Sequence, residues 1–229
     1  MKRQRWSSLL AAFLILTTGG ALTPPVASAS PLIVGMPIWV GPHRCSLGFF
    51  GFNSAGDWLA VTAGHCTDYV KEEVKNDDGV LVGAVVAWLP DAKDSAGKLY
   101  GPRGFTVIFV SHAAGLQPFF TQVGAVSEGD RVTKYGARTQ RTQGMVMGVH
   151  NDADRPDLSL IWSNIVALPG DSGCPWYTGG PTLVGIDSSG DEERSGGDAG
   201  SQAQPIGSVV QLIREKAGVW GDGFKVWLG

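Results

Sequence analysis

Apolar residues in this chain come in short runs rich in Val, Ile and aromatic side chains, and glycine, asparagine, aspartate or serine closes nearly every run. Runs of this kind between turn formers predict β-strands. They fall at residues 48–52, 58–62, 80–89, 105–110, 131–135, 144–149, 158–165 and 182–186. The first two, joined by Asn53-Ser54-Ala55-Gly56-Asp57, read as a hairpin. With 33 glycines and only 17% charged residues, tight turns are favoured over long solvated helices. Helical spacing occurs only at 207–217, where Val209, Val210, Leu212 and Ile213 form the apolar stripe and Gly218 the stop. Residues 191–204 are rich in Gly, Ser and acids and read as a loop. No repeat of 20 to 50 residues is visible. The architecture expected is all-β with one C-terminal helix.

At 229 residues the chain can form one large all-β domain or two small ones. A formal net charge of -3 gives no reason to expect nucleic acid or an anionic membrane as partner. Lys2, Arg3 and Arg5 precede an apolar run at 9–16, and Ala27-Ser28-Ala29 has the small-x-small pattern of a cleavage site. Residues 1–29 therefore read as a signal peptide, with a secreted mature chain from about Ser30 and no membrane anchor after cleavage. Export permits disulfides. Of the three cysteines, Cys45 and Cys66 flank the first hairpin and are expected to bridge its open end, leaving Cys174 as a buried packing thiol.

Two short stretches carry chemistry. Leu168-Pro169-Gly170-Asp171-Ser172-Gly173-Cys174-Pro175 presents one hydroxyl between glycines. A serine nucleophile needs a neighbouring base and N–H donors for the developing oxyanion, and glycines let the backbone aim such donors. Thr62-Ala63-Gly64-His65-Cys66 sets an imidazole at the end of an apolar strand, about a hundred residues earlier. His43, His112 and His150 lack ligand-like spacing, so no metal or other cofactor is expected.

Together these stretches resemble the chymotrypsin-like (trypsin-fold) serine peptidases, and with Arg44-Cys45-Ser46-Leu47-Gly48-Phe49 they are most similar to the bacterial streptogrisin and α-lytic branch. The resemblance runs from about residue 33 to 217 and implies two six-stranded antiparallel β-barrels, with a peptide or protein substrate held in the crevice between them. Barrels at about 33–115 and 116–206 are expected, then the helix and tail, in one peptidase domain over 30–229. His before Ser matches the chymotrypsin order. Position by position, the resemblance makes His65 the general base and acid, Ser172 the nucleophile, and the N–H groups of Gly170 and Ser172 the oxyanion hole. Ser188 and Gly190 would pair with the substrate backbone. Val166, six residues before Ser172, would sit at the base of the specificity pocket and favour an apolar residue before the scissile bond.

Asp171, beside the nucleophile, needs a cation if buried. The resemblance points to Lys134 in Val132-Thr133-Lys134-Tyr135-Gly136, with no activation cleavage and little room for a long pro-segment. The pattern breaks at the third catalytic residue. Gly104, opening 105–110, stands where the family has an Asp. A triad without its acid loses about 10⁴ in turnover, so activity is expected to be impaired, and a non-catalytic pseudopeptidase that binds a peptide or protein partner is the alternative. Asp91 or Asp94 could replace the acid, or a serine or water could orient the ring. Pro, Lys and Gly around the two acids predict a solvated turn.

Overall fold

The structure, a computed structural model, describes residues 31–111, 115–190 and 200–229. The expected signal peptide, His112 and most of the acid-rich loop lie outside the described residues. Eight strands form one sheet in the order Lys225–Val226, Phe49–Phe52, Trp58–Ala63, Phe105–Val110, Leu81–Leu89, Glu73–Asn76, Pro37–Val40 and His43–Ser46. The second sheet runs Gln122–Val123, Thr182–Ser189, Pro175–Thr178, Arg131–Gly136, Gln140–His150, Leu160–Ser163 and Ser201–Pro205. Pairing of Ser201–Pro205 with Thr182–Ser189 closes six strands of the second sheet into the second barrel, and the eight-stranded sheet, whose two end strands do not pair with each other, forms the first barrel and stays open. Closure pairs most of the edge groups of the six strands, which would otherwise attract other chains.

The strands expected from sequence form where their Val, Ile and aromatic residues can be buried. Leu59, Val61, Val85, Phe105 and Val107 fill the first sheet, and Val132, Ile161, Trp176 and Val184 the second. Ser201–Pro205 corrects the loop expected over 191–204. Its polar sequence is held as a strand because neighbours on both sides bind its backbone, and Ser201, Ala203 and Gln204 are buried. Tertiary pairing of this kind overrides strand propensity.

The helix spans Ile206–Lys216 and buries Ile206, Val209, Leu212 and Ile213. Gly218, at φ +57, ends it in the left-handed conformation that favours glycine. The tail after it packs on the body. Phe224 is fully buried edge-on to Phe49, Lys225–Val226 adds a strand beside Phe49–Phe52, and the rings of Trp227 and Trp58 lie 4.6 Å apart. Among the described residues no helix is long and apolar enough to cross a membrane.

Candidate active site

The strand Trp58–Ala63 runs directly into a single 3-10 turn, Gly64–Cys66, which carries His65. The disulfide joining Cys45 and Cys66 ties this turn to the strand His43–Ser46. His65 Nδ1 lies 2.6 Å from Asp91 Oδ2, and the Asp91 side chain is 1% exposed. The turn expected to be solvated is thus split. Asp94 stays in it, accepting the N–H groups of Ala96 and Lys98, while Asp91 points inward.

Gly104 is the physical reason. Leu81–Leu89 pairs antiparallel with Phe105–Val110 in the register Leu89 to Phe105, so the residues just after Leu89 lie beside those just before Phe105. A Cβ on Gly104 would meet Leu89 O at 1.8 Å, and one on Gly64 would meet Asp91 Oδ1 at 2.6 Å. The Gly104 N–H donates to Asp91 Oδ1. Gly104 therefore does more than lack an acid: its bare backbone admits the close approach of Leu89 and Pro90, and its N–H binds the acid that follows them. The register of these two strands separates Asp91 from Asp94, and nothing along the chain distinguishes the two.

The second barrel supplies the serine. Asp171 N–H donates to Leu168 O, Cys174 N–H to Asp171 O and Gly173 N–H to Asp187 O, and none of these bonds uses the N–H of Gly170 or Ser172. Gly170, at φ +104, and Gly173, at φ +81, take conformations closed to most side chains. The first barrel docks against the turn through Ser46, whose N–H donates to Ser172 O and whose hydroxyl donates to Gly170 O. Ser172 O also lies 4.0 Å from Cys66 Sγ, next in the chain to His65. The serine and histidine segments thus meet at the junction of the two barrels.

Lys134 Nζ donates to Asp171 Oδ2 at 2.9 Å, and both side chains are fully buried. Burial pushes the Asp171 carboxyl up, but the N–H groups of Thr139 and Leu168, the Lys134 ammonium and the Thr139 hydroxyl outweigh it and hold the group below its ordinary value. The Arg138 N–H adds a further bond to Oδ1. A carboxylate so satisfied is a rigid anchor for the serine beside it.

No family model matches the chain. It is 30% identical to streptogrisin-D of Streptomyces griseus over 185 residues, which is 79% of this chain and 45% of that protein. The chain thus spans less than half the length of that relative. It is also 30% identical to serine protease 2 of Streptomyces fradiae over 173 residues, 69% of this chain and 93% of that one. The chain belongs to the bacterial chymotrypsin-like serine peptidases. The solved structure of Thermobifida fusca protease A shares the fold, with a TM-score of 0.64 at 24% identity over 87% of this peptidase and all of that chain.

In this peptidase Ser188 is buried and Gly190 packs so closely on Ala167 that a Cβ there would lie 2.4 Å from Ala167 O. Val166, 38% exposed, lies between buried Ile165 and Ala167, and its carbonyl accepts the Thr142 hydroxyl. Cys174 is a buried free thiol, as expected, and burial pushes its pKa well up. Two buried groups escaped the sequence reading: Arg103, which reaches Ser188, and Asp187, which accepts a bond from Trp176 Nε1 at 2.9 Å.

Burial raises Asp187 from its ordinary 3.8 to about 8, against the opposing pull of Lys134 and the Trp176 bond. Between those values the folded peptidase keeps a proton that the unfolded chain has released, so this group makes stability fall as pH rises across the window and level off above it. Asp187→Asn keeps an acceptor for Trp176 and abolishes the titration. Its melting temperature is expected to exceed that of the wild type at pH 9, with a gain of about a few kcal/mol, and the gap should close towards pH 4. A gap independent of pH in paired thermal melts would contradict this.

Proposed function

We propose that this peptidase is a secreted serine endopeptidase in which Ser172 is the nucleophile, His65 the general base and acid, and Asp91 the acid that orients the imidazole. The carrying observation is the 2.6 Å contact between His65 Nδ1 and the buried carboxylate of Asp91. A ring that donates from Nδ1 keeps Nε2 for the serine proton. Ser172 Oγ attacks the scissile carbonyl carbon as its proton passes to His65 Nε2, and the N–H groups of Gly170 and Ser172 receive the oxyanion. The C–N bond then breaks, the amine takes the proton from His65, and the acyl group remains as an ester on Ser172. Water attacks that ester, giving its proton to His65, and the ring returns it to Ser172 Oγ as the acid leaves.

The pseudopeptidase alternative rested on Gly104, and the position of Asp91 takes away its motive. An apolar residue before the scissile bond suits the lining that Val166, Ala167 and Gly190 offer among the described residues. The signal-like residues 1–29 and the disulfide support export. A fluorophosphonate probe is expected to label the wild type and neither Ser172→Ala nor His65→Ala. Chromogenic peptides with Phe or Leu before the bond should give kcat/KM at least about tenfold above those with Arg or Lys. An unlabelled but folded wild type would defeat the enzymatic reading, and preference for Arg or Lys would defeat the apolar one.

A further inference from the structure

Arg103 is a buried cation, 3% exposed, and no carboxylate of the described residues forms an ion pair with it. Its guanidinium instead donates from Nε to Ser188 Oγ at 2.7 Å, from Nη1 to Gly101 O at 2.8 Å and from Nη2 to Gln202 Oε1 at 3.2 Å. Gln202 Oε1 also accepts the Ser189 hydroxyl at 3.0 Å. Burial pushes the guanidinium below its ordinary value and the charge of Asp91 pulls it back. Burying an arginine on neutral acceptors is costly, and a fixed five-donor fork is suited to holding several chain segments in one geometry.

The segments it holds belong to different barrels. Arg103 immediately precedes Gly104 and the first-barrel strand Phe105–Val110, whereas Ser188 and Gln202 lie on the second-barrel strands Thr182–Ser189 and Ser201–Pro205. The Arg103 backbone is fixed as well, its N–H donating to Asp157 O and its carbonyl accepting from Gln204 Nε2. On one side of Thr182–Ser189, Ser201–Pro205 pairs as far as Ser189. On the other, Pro175–Thr178 pairs only as far as Ile186, and the nucleophile turn then covers Asp187 through its bonds from Gly173 and to Cys174. Beyond Asp187, among the described residues, no strand covers that second edge. An uncovered edge beside a nucleophile is where an extended peptide can add as a strand through main-chain hydrogen bonds.

We infer that Arg103 is a positioning residue for extended substrates: from the first barrel it clamps the Ser188–Ser189 end of the second-barrel strand, so that its free edge is held at a fixed height beside Ser172. The inference rests on the reading of the site as a serine endopeptidase. Arg103 touches no reacting atom in that reading. Its loss should therefore fall on substrates that use the edge and spare those that do not.

The test compares a chromogenic peptide with four residues before the scissile bond against a single-residue ester with the same residue there. Arg103→Met is expected to lower the peptide-to-ester ratio of kcat/KM at least about tenfold, while the fluorophosphonate labelling rate of Ser172 stays within about twofold of the wild type. Arg103→Lys, which reaches fewer acceptors, should recover part of the ratio. Ser188→Ala should mimic the loss, and the double variant should lose little more than either single one. If Arg103→Met does not fold, Arg103→Lys read against Ser188→Ala carries the same comparison. An unchanged ratio, or a labelling rate that falls as far as peptide hydrolysis, would overturn the inference. A wild type that is neither labelled nor active on the ester would instead overturn the endopeptidase reading beneath it.

Discussion

Asp91→Asn is expected to lower kcat by about 10⁴-fold, the loss that follows when the carboxylate of a chymotrypsin-type triad becomes an amide. The amide fits the same space between Gly64 and Gly104. It no longer fixes the proton-bearing nitrogen of His65, however, and it cannot stabilise an imidazolium. Asp94→Asn, by contrast, should leave kcat within about twofold, because Asp94 serves only its own turn and surface changes of that kind are small. Gly104→Asp should not rescue Asp91→Asn: its Cβ would occupy the space of Leu89 O and drive apart the two strands that frame the site. Steady-state kinetics on one chromogenic peptide, with melting curves to confirm folding, separate these outcomes. A loss below tenfold in Asp91→Asn would place the orienting group elsewhere.

Lys134→Met is expected to cost about 3–5 kcal/mol of stability, because it leaves the Asp171 carboxylate buried without its cation. The loss should reach the site as well as the fold. Asp171 accepts the Leu168 N–H and ties the two ends of the nucleophile turn, so labelling of Ser172 should slow even where most of the protein remains folded. Adding Asp171→Asn should recover part of the stability, since no charge is then stranded. Urea melts of the wild type and these two variants provide the measurement. Wild-type stability in Lys134→Met would show that the ammonium is not what holds this turn.

Arg103, Asp91 and Lys134 have a common logic. Each is a long or acidic side chain taken out of water, and each lies where one part of the chain must be held against another. Lys134 fixes the nucleophile turn from within the second barrel. Asp91 binds the histidine from the segment that follows the first-barrel strand Leu81–Leu89, and Arg103 spans the two barrels. Buried polar groups of this kind are tolerated when fully partnered, and then they define one geometry.

Much of this peptidase was legible before any coordinates. Alternating Val, Ile and aromatic runs between turn residues located the central strands, because burial on a pleated surface selects those side chains wherever the chain goes. The Gly-Asp-Ser-Gly and Ala-Gly-His-Cys stretches located the serine and histidine, because tight turns and exposed nucleophiles admit few residue types. Pairing of Cys45 with Cys66 came from their places at the ends of one hairpin, and Lys134 as the partner of Asp171 from the family resemblance. The short polar strands were not legible. Glu73–Asn76 and Ser201–Pro205 are strands only because neighbours bind their backbones.

The sequence, through its resemblance to a known family, marked the residues expected to carry the chemistry and marked Gly104 as the position where an acid was missing. Only the tertiary structure decided that Asp91, and not Asp94, reaches His65. Two aspartates in one glycine- and lysine-containing turn look alike along the chain. They become different when strand register brings one against two glycines and an imidazole, and leaves the other to cap its own loop.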